Sequence, residues 1–187
     1  ALYHVFWATI EFPSFAETGG FEITLAAATA LGAAKLWMRF PGGILAGIVG
    51  DRVGNPLLMV WLFLLSMLAC LYLALMPATP SWAWTLWVFI FPFALLAYGL
   101  RGVFWALLYN CPVPTRVLGT AIGVVSIVGY SPDAYVPQVA AWLHTHYDTR
   151  TAYQGFFAYV AAVAGIGMLA SWLLFRLTRQ QGVPEST

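Results

Sequence analysis

Residues 57–76 form twenty consecutive positions without a charged side chain. About 20 apolar residues are what a helix needs to cross the hydrocarbon core of a bilayer. A run this uniformly apolar has few other stable destinations. Five further runs are expected, at about 1–16, 23–50, 82–109, 117–143 and 153–177, joined by short connections. The pattern predicts an all-α polytopic membrane bundle of six transmembrane helices. Composition agrees: 8% of the 187 residues are charged and 61% are hydrophobic, where a soluble domain carries roughly 25% charged residues.

The first run is short and opens in apolar sequence, with no basic segment followed by a cleavage site. It is expected to be a truncated membrane helix rather than a signal peptide. The expected division is a six-helix transmembrane domain over 1–178 and a polar tail over 179–187. A net charge of +1 with no basic run offers no footprint for nucleic acid. Cys70 and Cys111 fit no metal or redox spacing, so both are assigned to packing and no metal or cofactor is expected.

Orientation is read from the loops, because cytoplasmic connections collect Lys and Arg. One side gathers Arg52, Arg116, Arg176 and Arg179; the other has Arg150 beside Asp148, with Glu17 and Glu22 in its first loop. The richer side is expected to be cytoplasmic, the C-terminus included. Trp82, Trp84, Trp142, Tyr147 and Tyr153 would form the outer aromatic belt.

Five ionisable residues lie inside apolar runs: Glu11, Lys35, Arg39, Arg101 and Asp133. A cation at the bilayer centre costs about 2.5–3.5 kcal/mol on insertion scales, so such residues face protein or a wet cavity. Lys35 and Arg39 stand four apart and would share one helix face. Three cations against two carboxylates leave one positive charge, which favours an anionic ligand. Asp133 or Glu11 could balance those charges or carry a proton. Two plainer readings stand beside this one: ion pairs among the five, or arginines that snorkel to the interface. His4 is placed near the cytoplasmic end, and His144 and His146 in the outer loop. Tyr130, Tyr135 and Trp105 are possible lining.

Backbone breaks accompany the charges. The second run is interrupted at Pro41-Gly42-Gly43, the fifth at Gly129 to Asp133, and Glu11 stands near Pro13. Proline removes a donor and frees a carbonyl four residues earlier, which lipid does not tolerate. Counted as two triplets, each set has its broken helix second, the pattern of a transporter site at a repeat interface. Gly43, Gly47 and Gly50, and the pair Gly119 and Gly123, are expected to let helices pack closely. No zinc-protease, nucleophile-elbow or phosphate-loop motif occurs, and Ser131, Asp133 and His144 do not make a triad.

The turn Gly47-Ile-Val-Gly-Asp51-Arg52-Val-Gly54-Asn55 resembles the cytoplasmic loop motif of the major facilitator superfamily, departing from it at Asn55 and Pro56, where a basic residue is usual. The stretches Tyr98 to Trp105, Gly119 to Ser126 and Gly129 to Asp133 resemble a bacterial subgroup of sugar-acid, sugar-phosphate and related organic-anion permeases. The resemblance implies helices seven to twelve of a twelve-helix facilitator, two inverted three-helix repeats working by alternating access. It implies Gly47, Asp51, Arg52 and Gly54 as a gating turn; with such a mode of action the embedded charges are expected to serve as substrate-binding residues, Lys35, Arg39 and Arg101, and for coupling or charge balance, Asp133 and Glu11. Implied partners are a small solute, the inner-membrane bilayer and an N-terminal six-helix half. The rival expectation is a membrane scaffold or sensor whose embedded charges pair with each other; an intramembrane enzyme ranks last.

Overall fold

The computed structural model describes residues 1–77, 79–109 and 114–180. Cys111 and residues 181–187 of the expected tail lie outside them. Eight α-helices follow in order: α1 (Leu2–Thr18), α2 (Leu25–Trp37), α3 (Arg39–Val53), α4 (Asn55–Leu75), α5 (Ala83–Tyr109), α6 (Leu118–Tyr130), α7 (Pro132–His146) and α8 (Thr149–Gln180). The chain is all-helical over these residues. Among them, three spans are long and apolar enough to cross a membrane: Asn55–Leu75, Pro80–Leu107 and Thr149–Arg179.

The two interrupted runs each divide into a helix pair, α2–α3 and α6–α7. The first break falls earlier than Pro41-Gly42-Gly43 suggested, and the second falls within the expected stretch from Gly129 to Asp133. The first sits at Met38, three residues ahead of Pro41, and the second at Ser131, directly ahead of Pro132. A proline is tolerated in a helix's first turn, where its missing N–H has no partner to lose, but it disrupts the turn before it. Each proline therefore opens the second helix instead of breaking a continuous one. The Met38 break also corrects the expectation that Lys35 and Arg39 share a face. Lys35, at 8% exposure, is buried under α2, whereas Arg39 is exposed at the start of α3.

α1 lies at the centre, against α5, α8, α2 and α7. Its core face carries Val5, Ala8, Phe12, Phe15 and Ala16. Phe12 meets Phe93 of α5 at 6.4 Å between ring centroids, and Phe15 meets Phe157 of α8 at 5.1 Å. α4 packs along α8, and α3 along α5. The α3–α5 contact is close because it is built on small residues. A Cβ added at Gly42 would come 3.0 Å from Tyr98 Cβ and 3.2 Å from the Leu95 carbonyl, while Gly99 sits against Ala46. Gly47, Gly119 and Gly123 do not serve this purpose: nothing lies within 4 Å of an added Cβ at any of them. The close approach rests on Gly42 instead.

α3 passes to α4 through Gly54, whose φ of 86° and ψ of 133° is a conformation open to glycine alone. Asp51 and Arg52 are exposed just before it, with no ion-pair partner among the described residues. Valine at position 54 should lower the thermal midpoint in detergent, at a cost of about 2 kcal/mol of backbone strain; intrinsic tryptophan fluorescence would measure it. At the other end, Asp148 caps α8. Hydrogen bonds from the Thr151 side chain and backbone N–H hold its carboxyl below the usual carboxylate range. His144 and His146 belong to the last turn of α7, not to the loop. Tyr153 is buried against Phe15 and the His144 ring, so it does not join the exposed aromatics Trp82, Trp84, Trp142 and Tyr147.

Candidate functional site: a charged face along the central helix

α1 turns one side out of the core. Phe6, Trp7 and Glu11 are half-buried on it, and Ile10 and Ser14 are exposed. Three of the five embedded charges, Lys35, Arg101 and Asp133, reach this helix through specific contacts, Glu11 stands on it, and Arg39 is exposed at the start of α3.

The lower turn of α1 meets Arg101 of α5. The guanidinium carbon lies 4.6 Å from the Phe6 ring centroid and 5.4 Å from that of Tyr3. The two rings stand at 74° to each other, and both attract the cation through their faces. Tyr3 in turn packs on Tyr130 of α6, with centroids 4.6 Å apart, and Phe6 packs on Tyr98 at 6.1 Å. On the other flank, the Trp7 indole N–H donates to Asp133 Oδ1 at 2.7 Å. Tyr3 feels Arg101 and Asp133 together.

One turn further along, Lys35 Nζ donates to the Thr9 carbonyl. The sequence explains why that oxygen is available. Pro13 stands four residues on and has no N–H to give it. Gly32 lets α2 come up to Pro13, since a Cβ there would sit 3.3 Å from Pro13 Cγ. Glu11 lies in the field of Lys35 and of His144, with no hydrogen bond or ion pair to its carboxylate among the described residues. Along α1 the charges thus form a column about 12 Å long at 1.5 Å per residue from position 3 to 11. Arg101 and Asp133 stand at one end, Lys35 and Glu11 at the other.

No ion pair joins any of the five among the described residues. Three of them are held by something else: Arg101 by rings, Asp133 by an indole and Lys35 by a backbone oxygen. Sequence reasoning picked the charges but missed Tyr3, Phe6, Trp7 and Thr9, which position them. The signal was present in the spacing Tyr3, Trp7, Glu11, which places three polar-tipped residues on one helical stripe. His4 lies in the first turn of α1. It is 3% exposed, with Nε2 at 2.9 Å from the Tyr159 hydroxyl and 3.2 Å from that of Tyr135, so it ties α1 to α7 and α8. A cavity of about 480 Å³, lined by residues such as Leu2, His4, Phe63, Phe104, Tyr135 and Ser171, lies beside it. None of the five embedded charges lines that cavity. Trp105 packs on Phe104 and takes no part in the charged face.

Three apolar spans and a surface rich in exposed Leu, Ile, Val, Phe and Trp define a helical membrane protein. Over 83 residues the chain is 30% identical to the Inner membrane protein YqcE of Escherichia coli (strain K12). The match takes in 44% of this chain and 19% of that protein, so the chain corresponds to a minor part of its relative. No family model matches the sequence. No solved structure matches it either.

Proposed function

We propose that the chain is the C-terminal half of a major-facilitator-type secondary transporter, which moves a small organic anion across the inner membrane by alternating access. In this reading α1, α2–α3 and α4 form one triplet, and α5, α6–α7 and α8 form its inverted counterpart. Each broken pair then acts as a single crossing. α2 and α3 alone would span about 20 Å each at 1.5 Å per residue, short of the roughly 30 Å hydrocarbon core. The ends bearing Arg52, Arg176 and Arg179 lie in the cytoplasm, as the excess of arginine there favours.

The observation that carries the reading is the half-exposed charged column along α1. Charges at membrane depth do not face lipid, so this side meets water or protein. Arg39, Arg101 and Lys35 attract the anion, and Asp133 and Glu11 balance them when the site is empty. One of the two carboxylates carries the coupling proton. Asp51 and Arg52, exposed at the α3–α4 turn, act in gating. A scaffold built on internal ion pairs is less well supported, because the five charges make none among the described residues.

The test is counterflow. The full-length protein, reconstituted in vesicles preloaded with a mixture of unlabelled organic anions, should accumulate at least one of them in labelled form. Vesicles that hold folded protein and exchange none of a panel of sugar acids, sugar phosphates and carboxylates would refute transport.

A further inference from the structure

We propose that the C-terminal end of α8 holds the headgroup of an anionic phospholipid against Arg176 and Arg179. The site requires only that α8 spans a membrane, so it stands apart from the transport reading above. Three observations carry it.

The first is an unpartnered apolar stripe that ends in charge. Ile166, Leu169, Leu173 and Leu177 are exposed on α8, with Trp172 exposed beside them. Their spacing puts them on one side of the helix. The span able to cross a membrane runs Thr149–Arg179, so the stripe reaches its end at the two arginines. Acyl chains cover such a stripe, and headgroups lie at its end.

The second is how the arginines are held. The Arg176 guanidinium carbon lies 3.9 Å from the Trp172 ring centroid, and that of Arg179 lies 5.1 Å from the Phe175 ring centroid. Each ring belongs to the residue one turn back along α8, so both cations are drawn toward the membrane side of the helix end. An arginine that only sought water would snorkel the other way. Both side chains are exposed, and neither has an ion-pair partner among the described residues. A phosphate matches a guanidinium with two parallel hydrogen bonds.

The third is what stands level with them. α4 and α8 pack antiparallel: Gly165 lies against Met67, and Gly167 against Phe63. Continued along both helices, this register brings Arg176 and Arg179 level with the α3–α4 turn, where Asp51 and Arg52 are exposed. Three arginines against one aspartate leave two positive charges at this end of the pair. Such a surplus favours an anionic headgroup over a zwitterionic one.

The experiment mixes the full-length protein in detergent with equal amounts of phosphatidylglycerol and phosphatidylcholine, and counts the lipid that stays bound by native mass spectrometry. A basic residue near the headgroups is worth about 1 kcal/mol, or about fivefold, so the two arginines should favour phosphatidylglycerol about 25-fold. Arg176→Gln and Arg179→Gln should each lose about fivefold of that preference, and the double variant nearly all of it. The thermal midpoint of the double variant in phosphatidylcholine should match the parent's. Arg150→Gln, at the opposite end of α8, should keep the full preference. Equal retention of the two lipids by the parent would overturn the proposal, as would an undiminished preference in the double variant or an equal loss in Arg150→Gln. Displacement of phosphatidylglycerol by free glycerol 3-phosphate would overturn it too, since the site would then hold a soluble phosphate and not a lipid.

Discussion

Arg101→Gln in the full-length protein should reduce organic-anion exchange by at least about 30-fold while leaving membrane insertion and the thermal midpoint nearly unchanged. The size follows from the geometry. Removing one partner of a desolvated charge pair costs about 2–5 kcal/mol, much of it the penalty of leaving the other charge unpaired, and every 1.4 kcal/mol is a factor of ten. The fold should survive because Arg101 forms no ion pair among the described residues and stacks only on rings. Glutamine keeps the stem and a polar tip, so Tyr3 and Phe6 retain a neighbour. Lys35→Gln should act in the same direction, and it leaves the Thr9 carbonyl with a weaker, uncharged donor. Counterflow measures the loss, and the yield of protein in membranes serves as the control. Normal exchange by both variants would dismiss the charged face as the route.

Gly42→Leu should destabilise the bundle by about 3 kcal/mol, the upper end for an overpacked site, and should stop exchange as well. The Cβ alone would press on Tyr98 Cβ at 3.0 Å and on the Leu95 carbonyl at 3.2 Å. Neither atom can swing away, because one begins a side chain and the other is backbone. α3 and α5 must therefore separate. Tyr98, which packs on Phe6 of α1, would move with them. Gly47→Leu is the matched control: an added Cβ there meets nothing within 4 Å, so its thermal midpoint should stay near that of the parent. Equal midpoints for the two variants would show that the α3–α5 approach does not hold the bundle together.

The comparison of these two glycines shows where the sequence was readable. Apolar run length located the helices to within a few residues, because a lipid-spanning segment has to be long and uncharged. Prolines announced that the second and fifth runs would break. The second break, at Ser131, falls inside the stretch from Gly129 to Asp133; the first, at Met38, falls three residues ahead of Pro41, because the steric demand acts upstream of the proline ring. Glycine spacing was a poor guide to packing. Gly119 and Gly123 have the right interval and touch nothing, because contact needs a partner helix on that side. The charges were legible one by one, since each stands out in an apolar run. Their partners were not. Tyr3, Phe6 and Trp7 look like ordinary membrane filler until α5 and α7 bring Arg101 and Asp133 against them. Contacts that join positions 7 and 133 depend on topology, and no local pattern carries them.

The oxygen that Pro13 leaves idle at Thr9 gives the Lys35 ammonium a fixed, neutral acceptor. The protein can thus fix a cation in space without tying it into an ion pair.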